Sequence, residues 1–185
     1  MTPPTNARHP RRQFLRTTTL AGLACLPVWA LPAQAAEAPR GLAMHHLHTQ
    51  ERIDLVYANG AERDPLALTQ FNSFLRDHYT GDVGSIDPTL LDLLHEVRRV
   101  LDNPSPFEIF SGYRSPATNQ HLREVGAGGV ARKSLHMEGR AIDVRLPGTD
   151  LEALRDAALS LQAGGVGFYA KDGFVHLDTG RVRNW

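Results

Sequence analysis

Apolar and polar positions alternate along Leu42–His48 and again along Arg52–Ala58, with Thr49-Gln50-Glu51 between them. That pattern predicts a β-hairpin. Asp64-Pro65 and Asp87-Pro88 each place a capping residue before a proline, the usual start of a helix. Leu68, Phe71, Phe74 and Leu75 give the first helix an apolar stripe. Leu90, Leu94, Val97 and Leu101 give the second one at helical spacing. Phe107–Phe110 reads as a short buried strand ending at Ser111-Gly112, and Pro116–Val125 as a short helix. A glycine-rich loop, Gly126–Lys133, follows. Ala141–Leu146 alternates again, with Ile142, Val144 and Leu146 on one face and Asp143 on the other. Thr149 and Glu152 fit a capping box for a helix carrying Leu151, Leu154, Ala158 and Leu161. Val166–Tyr169 and Phe174–Asp178 predict a last hairpin. The expected class is α+β: a small antiparallel sheet in the C-terminal half with helices packed on it.

The N-terminus follows a different logic. Arg11-Arg12-Gln13-Phe14-Leu15-Arg16 precedes an apolar, small-residue stretch, and Ala33-Gln34-Ala35 suits signal-peptidase cleavage. The apolar stretch is too short for a membrane-spanning helix, which needs about 20 apolar residues. The arginine pair before Phe-Leu resembles the twin-arginine export signal. Residues 1–35 are therefore expected to be a cleaved signal that engages the twin-arginine translocase. Residues 36–185 would be a single periplasmic domain, expected to be a monomer. A lipid anchor at Cys25 is not expected, because Gly22 stands where such a signal usually has leucine.

Composition sharpens this picture. The whole chain balances 20 Lys+Arg against 20 Asp+Glu, and four of those arginines with no acid lie in residues 1–35. No basic surplus is left for phosphate contacts, so a general nucleic-acid binder is not expected. Cys25 is the only cysteine and would leave with the signal. Disulfides are then excluded, and any metal site must use histidine and carboxylate.

Three segments look unlike scaffold: Ser111–Ser115, Ser134–Asp143 and Phe174–Asp178. His136 and Asp143 are too far apart along a helix to share an ion, which needs donors about 2 Å away. The segment must fold back, and Glu138-Gly139-Arg140 offers the turn. Period two puts Phe174, His176 and Asp178 on one strand face. If the two strands are neighbours, Asp143 and His176 share a face that His136 can reach. Two histidines, one carboxylate and an open position suit a catalytic zinc. A core histidine and a turn aspartate are the plainer alternatives.

Ser134-x-His136-x-x-Gly139-x-Ala141-x-Asp143 with a later strand histidine resembles the zinc peptidases of the lysostaphin/D-Ala-D-Ala-carboxypeptidase/sonic-hedgehog group, which includes the M15-type peptidoglycan peptidases. Adding Ser111–Pro116, Gly164–Gly167 and Phe174–Gly180, residues 41–185 look like the exported DUF882/YcbK-type murein endopeptidase family. The resemblance implies a hedgehog/D-Ala-D-Ala-peptidase-like fold, zinc held by His136, Asp143 and His176, and peptidoglycan peptides as substrate. Many such peptidases carry a Glu three residues, or a His two, before the last ligand. Here Gly173 and Phe174 stand there, and neither moves a proton. Asp178 is the first candidate base, with orientation of His176 as its equal alternative, and Glu138 is the second. Arg114 is expected to hold a substrate carboxylate or the oxyanion. Ser134 and Tyr113 are candidate substrate contacts. His78, His95 and His121 read as surface residues, and His45, His46 and His48 have no predictable partner. The rival reading is a zinc-containing peptidoglycan-binding module of the same fold that has lost its base.

Overall fold

The computed structural model describes residues 38–126 and 130–185. The expected export signal and Cys25 lie outside these residues.

Three of the four helices among the described residues start on a side-chain cap. Asp64 accepts from the amides of Leu66 and Ala67 ahead of α1 (Pro65–Phe74). Asp87 accepts from Thr89 ahead of α2 (Pro88–Val100). Ser115 accepts from Thr118 ahead of α3 (Pro116–Val125). Each carboxylate or hydroxyl satisfies amides that the first helical turn leaves free. The fourth helix, α4 (Leu151–Ser160), differs from expectation. Its N-cap is Asp150 without a side-chain bond, and Thr149 instead accepts from Asn103. A tertiary partner has outcompeted the local capping box.

Among the described residues the strands are β1 (Arg40–His46), β2 (Arg52–Asn59), β3 (Glu62–Arg63), β4 (Phe107–Ser111), β5 (Ala141–Arg145), β6 (Gly165–Tyr169), β7 (Phe174–Asp178) and β8 (Arg183–Asn184). They form one sheet in the order β3-β2-β1-β4-β5-β7-β6-β8. The class is α+β, as expected, but the sheet is larger and more mixed than the sequence suggests. The N-terminal hairpin joins the C-terminal strands, because β1 pairs in parallel with β4 after the α1–α2 crossover. A parallel β6–β8 pair closes the far edge. Pairings of such sequence separation leave no local signal.

One face of the sheet packs on helices. Ile142, Val144, Val175 and Leu177 are fully buried there with Leu90, Leu94 and Val97 of α2 and Leu154 of α4. Alternation sends Asp143 and His176 to the opposite face. Burial of the apolar face thereby fixes the register of the polar one, since a slip of one residue would exchange the two faces.

Candidate metal centre

Two adjacent strands and one turn build the site. Asp143 of β5 and His176 of β7 are direct cross-strand partners. His136 comes from a 3₁₀ turn, Leu135–Glu138, that immediately precedes β5. The turn closes on Gly139 in the left-handed region at φ 65°, with the Gly139 amide bonded to the His136 carbonyl. Asp87 ties this turn down from outside. Its amide donates to the Gly139 carbonyl, and its carboxylate accepts from Thr179 just past β7.

His136 Nε2, Asp143 Oδ1 and His176 Nδ1 converge. The two nitrogens lie 3.3 Å apart, and Asp143 Oδ1 lies 3.4 Å from His136 Nε2 and 2.8 Å from His176 Nδ1. Tetrahedral donors about 2.0–2.1 Å from a zinc ion stand about 3.3–3.4 Å apart, so the cluster has the right size. The outer nitrogens are equally telling. His136 Nδ1–H donates to the Gly112 carbonyl at 2.7 Å, and His176 Nε2–H donates to Asp178 Oδ2 at 3.1 Å. Each bond fixes a tautomer that turns a bare lone pair toward Asp143. Two imidazole lone pairs and a carboxylate facing one point repel one another unless a positive charge sits among them. The donor set therefore fits a divalent cation of zinc type.

The electrostatics agree in direction. Burial pushes the Asp143 carboxyl up, but the His136 and His176 imidazoles outweigh it and hold it well below the usual carboxylate range. Burial alone would lower His176; its bonds to Asp143 and Asp178 raise it instead. The field that favours a proton on His176 favours a metal cation for the same reason.

Asp178 stands behind His176 and is fully buried. Its Oδ1 accepts from the amides of Gly165 and Gly180 and from Arg183, and its Oδ2 from Arg183 and His176. Burial raises its carboxyl, yet His176 and Arg183 hold it far below the ordinary range. A carboxylate with five donors and no face on the cleft is a poor proton acceptor and a firm anchor for an imidazole. The geometry thus favours orientation of His176 over the base role. Glu138 is turned toward Arg140 on the surface, 3.3 Å away, and does not line the cleft.

Arg114 does reach the site. A guanidinium nitrogen lies 3.7 Å from Asp143 Oδ2 and 3.4 Å from Ser111 Oγ, and its amide donates to the His136 carbonyl. Ser134 lines the cleft, and its hydroxyl makes no capping bond. Tyr113 packs against Gly84 and borders the cleft on the side away from His136.

The cleft has two lobes of about 240 and 230 Å³ that share Arg114, Asp143 and Phe174. The metal-side lobe adds Lys133, Asp172, Arg183 and Trp185, none of which sequence reasoning singled out. Among the described residues, its carboxylates are Asp143 and Asp172. The second lobe is bordered by His48 and His78. His78 is half-buried in the turn after α1 rather than on a helix surface, a correction to the sequence expectation. His95 is likewise not a free surface residue, since its ring approaches the Gly41 carbonyl at 3.4 Å.

The family described as peptidoglycan L,D-endopeptidase MepK matches residues 34–185. Peptidoglycan L,D-endopeptidase MepK of Escherichia coli K12 is 40% identical over 176 residues, covering 95% of this chain and 96% of that protein. A Haemophilus influenzae protein named "Probable peptidoglycan L,D-endopeptidase MepK" is 33% identical over 177 residues, covering 95% of each. Among solved structures, the L-Ala D-Glu endopeptidase ChiX of Serratia marcescens aligns at 18% identity and a TM-score of 0.35, over 52% of this chain and 68% of that one.

Proposed function

Because this chain belongs to the peptidoglycan L,D-endopeptidase MepK family, we propose that it is a peptidoglycan endopeptidase that works as an exported zinc enzyme. The observation that carries the zinc reading is the convergence of His136 Nε2, Asp143 Oδ1 and His176 Nδ1 in the first lobe of the cleft, where Asp143 also borders the second. The family name supports, as the substrate in this reading, a cross-link or stem peptide in which an L-centre gives the carbonyl and a D-centre the amine.

In this reading His136, Asp143 and His176 hold the ion, which supplies Lewis acidity toward the scissile carbonyl and water when bound. The Gly112 carbonyl and Asp178 keep the two imidazoles in the ligating tautomer. Arg183 keeps Asp178 ionised. Arg114 presents its planar fork to a substrate carboxylate or to the oxyanion, beside the ligand Asp143 and within the same cavity. Ser134 offers a free hydroxyl to the bound peptide. A single binding-module alternative draws support from one observation, that Asp178 and Glu138 both face away from the cleft.

Mass spectrometry of muropeptides released from purified sacculi tests both readings. Zinc-loaded protein should release cleaved peptides and chelated protein should not; binding to sacculi without release would favour the module. His176→Ala should lose zinc and activity together, and full zinc occupancy in that variant would refute the ligand assignment. Export by the twin-arginine route is proposed from Arg11-Arg12 alone. Arg11→Lys with Arg12→Lys should leave unprocessed precursor in the cytoplasm, and normal processing would refute the route.

A further inference from the structure

The second lobe of the cleft differs in chemistry from the metal-side lobe. Its wall is a stack of rings. His48 and His78 lie parallel, with centroids 4.0 Å apart and planes within 1°. Tyr79 continues the series at 4.3 Å, and Phe110 and Phe174 face one another across 5.4 Å on the same lobe. The stack is built into the fold. His46, fully buried, backs it at 6.0 Å from His48 and 5.5 Å from His78. The neighbouring Asp77 is pinned by the amides of Ser115 and Tyr79. Burial, with His48 and Arg114 nearby, pushes the His78 imidazole down to about 4, so this ring is neutral at pH 7. Its Nε2 is buried without a hydrogen-bond partner. A parallel pair cannot aim two lone pairs at one ion, which argues against a second metal site.

An endopeptidase must grip its chain on both sides of the cut bond. The metal-side lobe carries Lys133, Arg183 and Asp172; this lobe carries the flat ring faces of His48, His78 and Tyr79 and meets the first at Arg114, Asp143 and Phe174. We propose that the His48–His78 wall is a peptide-binding subsite, against which the aliphatic side chain of the residue flanking the cut bond lies while its carboxylate reaches Arg114. The inference rests on the endopeptidase reading and deepens it. The pair acts through the face of its rings rather than through charge or proton transfer.

Steady-state kinetics of the zinc-loaded protein on a purified cross-linked muropeptide dimer test this. His48→Ala with His78→Ala should raise KM about tenfold, the scale of uncovering one or two methylene groups, with kcat and zinc content near wild type. His48→Phe with His78→Phe should restore KM, because phenylalanine keeps the face and drops the nitrogens. An unchanged KM in the alanine variant, or a phenylalanine variant as impaired as the alanine one, would overturn the proposal. Should the double alanine variant fail to fold, His48→Ala alone carries the test, since His48 is exposed. Should the wild type leave the dimer uncut, the endopeptidase reading fails. Calorimetric binding of the intact dimer then decides the subsite, and equal affinity of wild type and alanine variant would sink it.

Discussion

Asp178 was open to two roles in the sequence, proton carrier or anchor of His176, and its surroundings favour the anchor. Period two brings it to the face of His176, but five donors then consume its oxygens and none of them is a substrate. Asp178→Asn should therefore lower zinc affinity by about 10–100-fold, the usual effect of losing a group that orients a ligand. At saturating zinc its kcat should stay near wild type, whereas loss of a general base costs about 10²–10⁴ in rate. A chelator competition followed by kinetics at high zinc separates the two. Arg114 has the opposite character, being bonded only weakly within the protein and open to both lobes. Arg114→Lys should keep zinc and stability while kcat/KM falls by about 10²–10³, since lysine lacks the planar fork. Unchanged turnover would make Arg114 scaffold.

At the scale of elements, the Leu135–Glu138 turn decides whether His136 meets the strands. Gly139 is left-handed, and a methyl group there would also overlap the Ser85 carbonyl. Gly139→Ala should cost at least about 2 kcal/mol, a fall in Tm of about 4–8 °C for a domain of this size, and should weaken zinc binding with it. Gly173 in the β6–β7 turn is left-handed too, at φ 77°, but nothing lies within 4 Å of a methyl there. Gly173→Ala should cost only about 1–2 kcal/mol of backbone strain and leave zinc affinity unchanged. Equal zinc losses in the two variants would show that the effect is general softening rather than displacement of His136. The strands contribute differently: β5 and β7 need no special residue, because the cross-strand pairing of Asp143 with His176 follows from burying Ile142, Val144, Val175 and Leu177 on the other side.

For the whole molecule, the histidines around the second lobe couple folding to pH. His46 is fully buried; burial, then His78 and His48, push it down from about 6.5 to about 4. The unfolded chain takes up a proton between those values that the folded protein refuses. Stability is thus complete above about pH 6.5 and is lost as the pH falls toward 4, by about 3 kcal/mol for this group. Thermal melts of chelated protein between pH 7 and 4.5 should show the loss, and His46→Phe should lessen it, with His78 keeping a remainder. An equally steep fall in His46→Phe would assign the acid sensitivity to other groups.

Much of this was legible along the chain. Asp64, Asp87 and Ser115 cap helices by contacts within three residues, so local sequence suffices for them. Alternation in β5 and β7 likewise names the faces that Asp143 and His176 occupy, because one buried face constrains the other. What the sequence left open depends on distant pairings. Whether Asp178 receives Arg183, whether β1 joins β4, and whether His48 stacks on His78 are set by segments brought together only when the core closes. Period and spacing carry no record of those contacts. The candidate ligand trio was therefore readable from residues 134–178, while the second lobe, and the Arg183 contact that occupies Asp178, emerged only from tertiary packing.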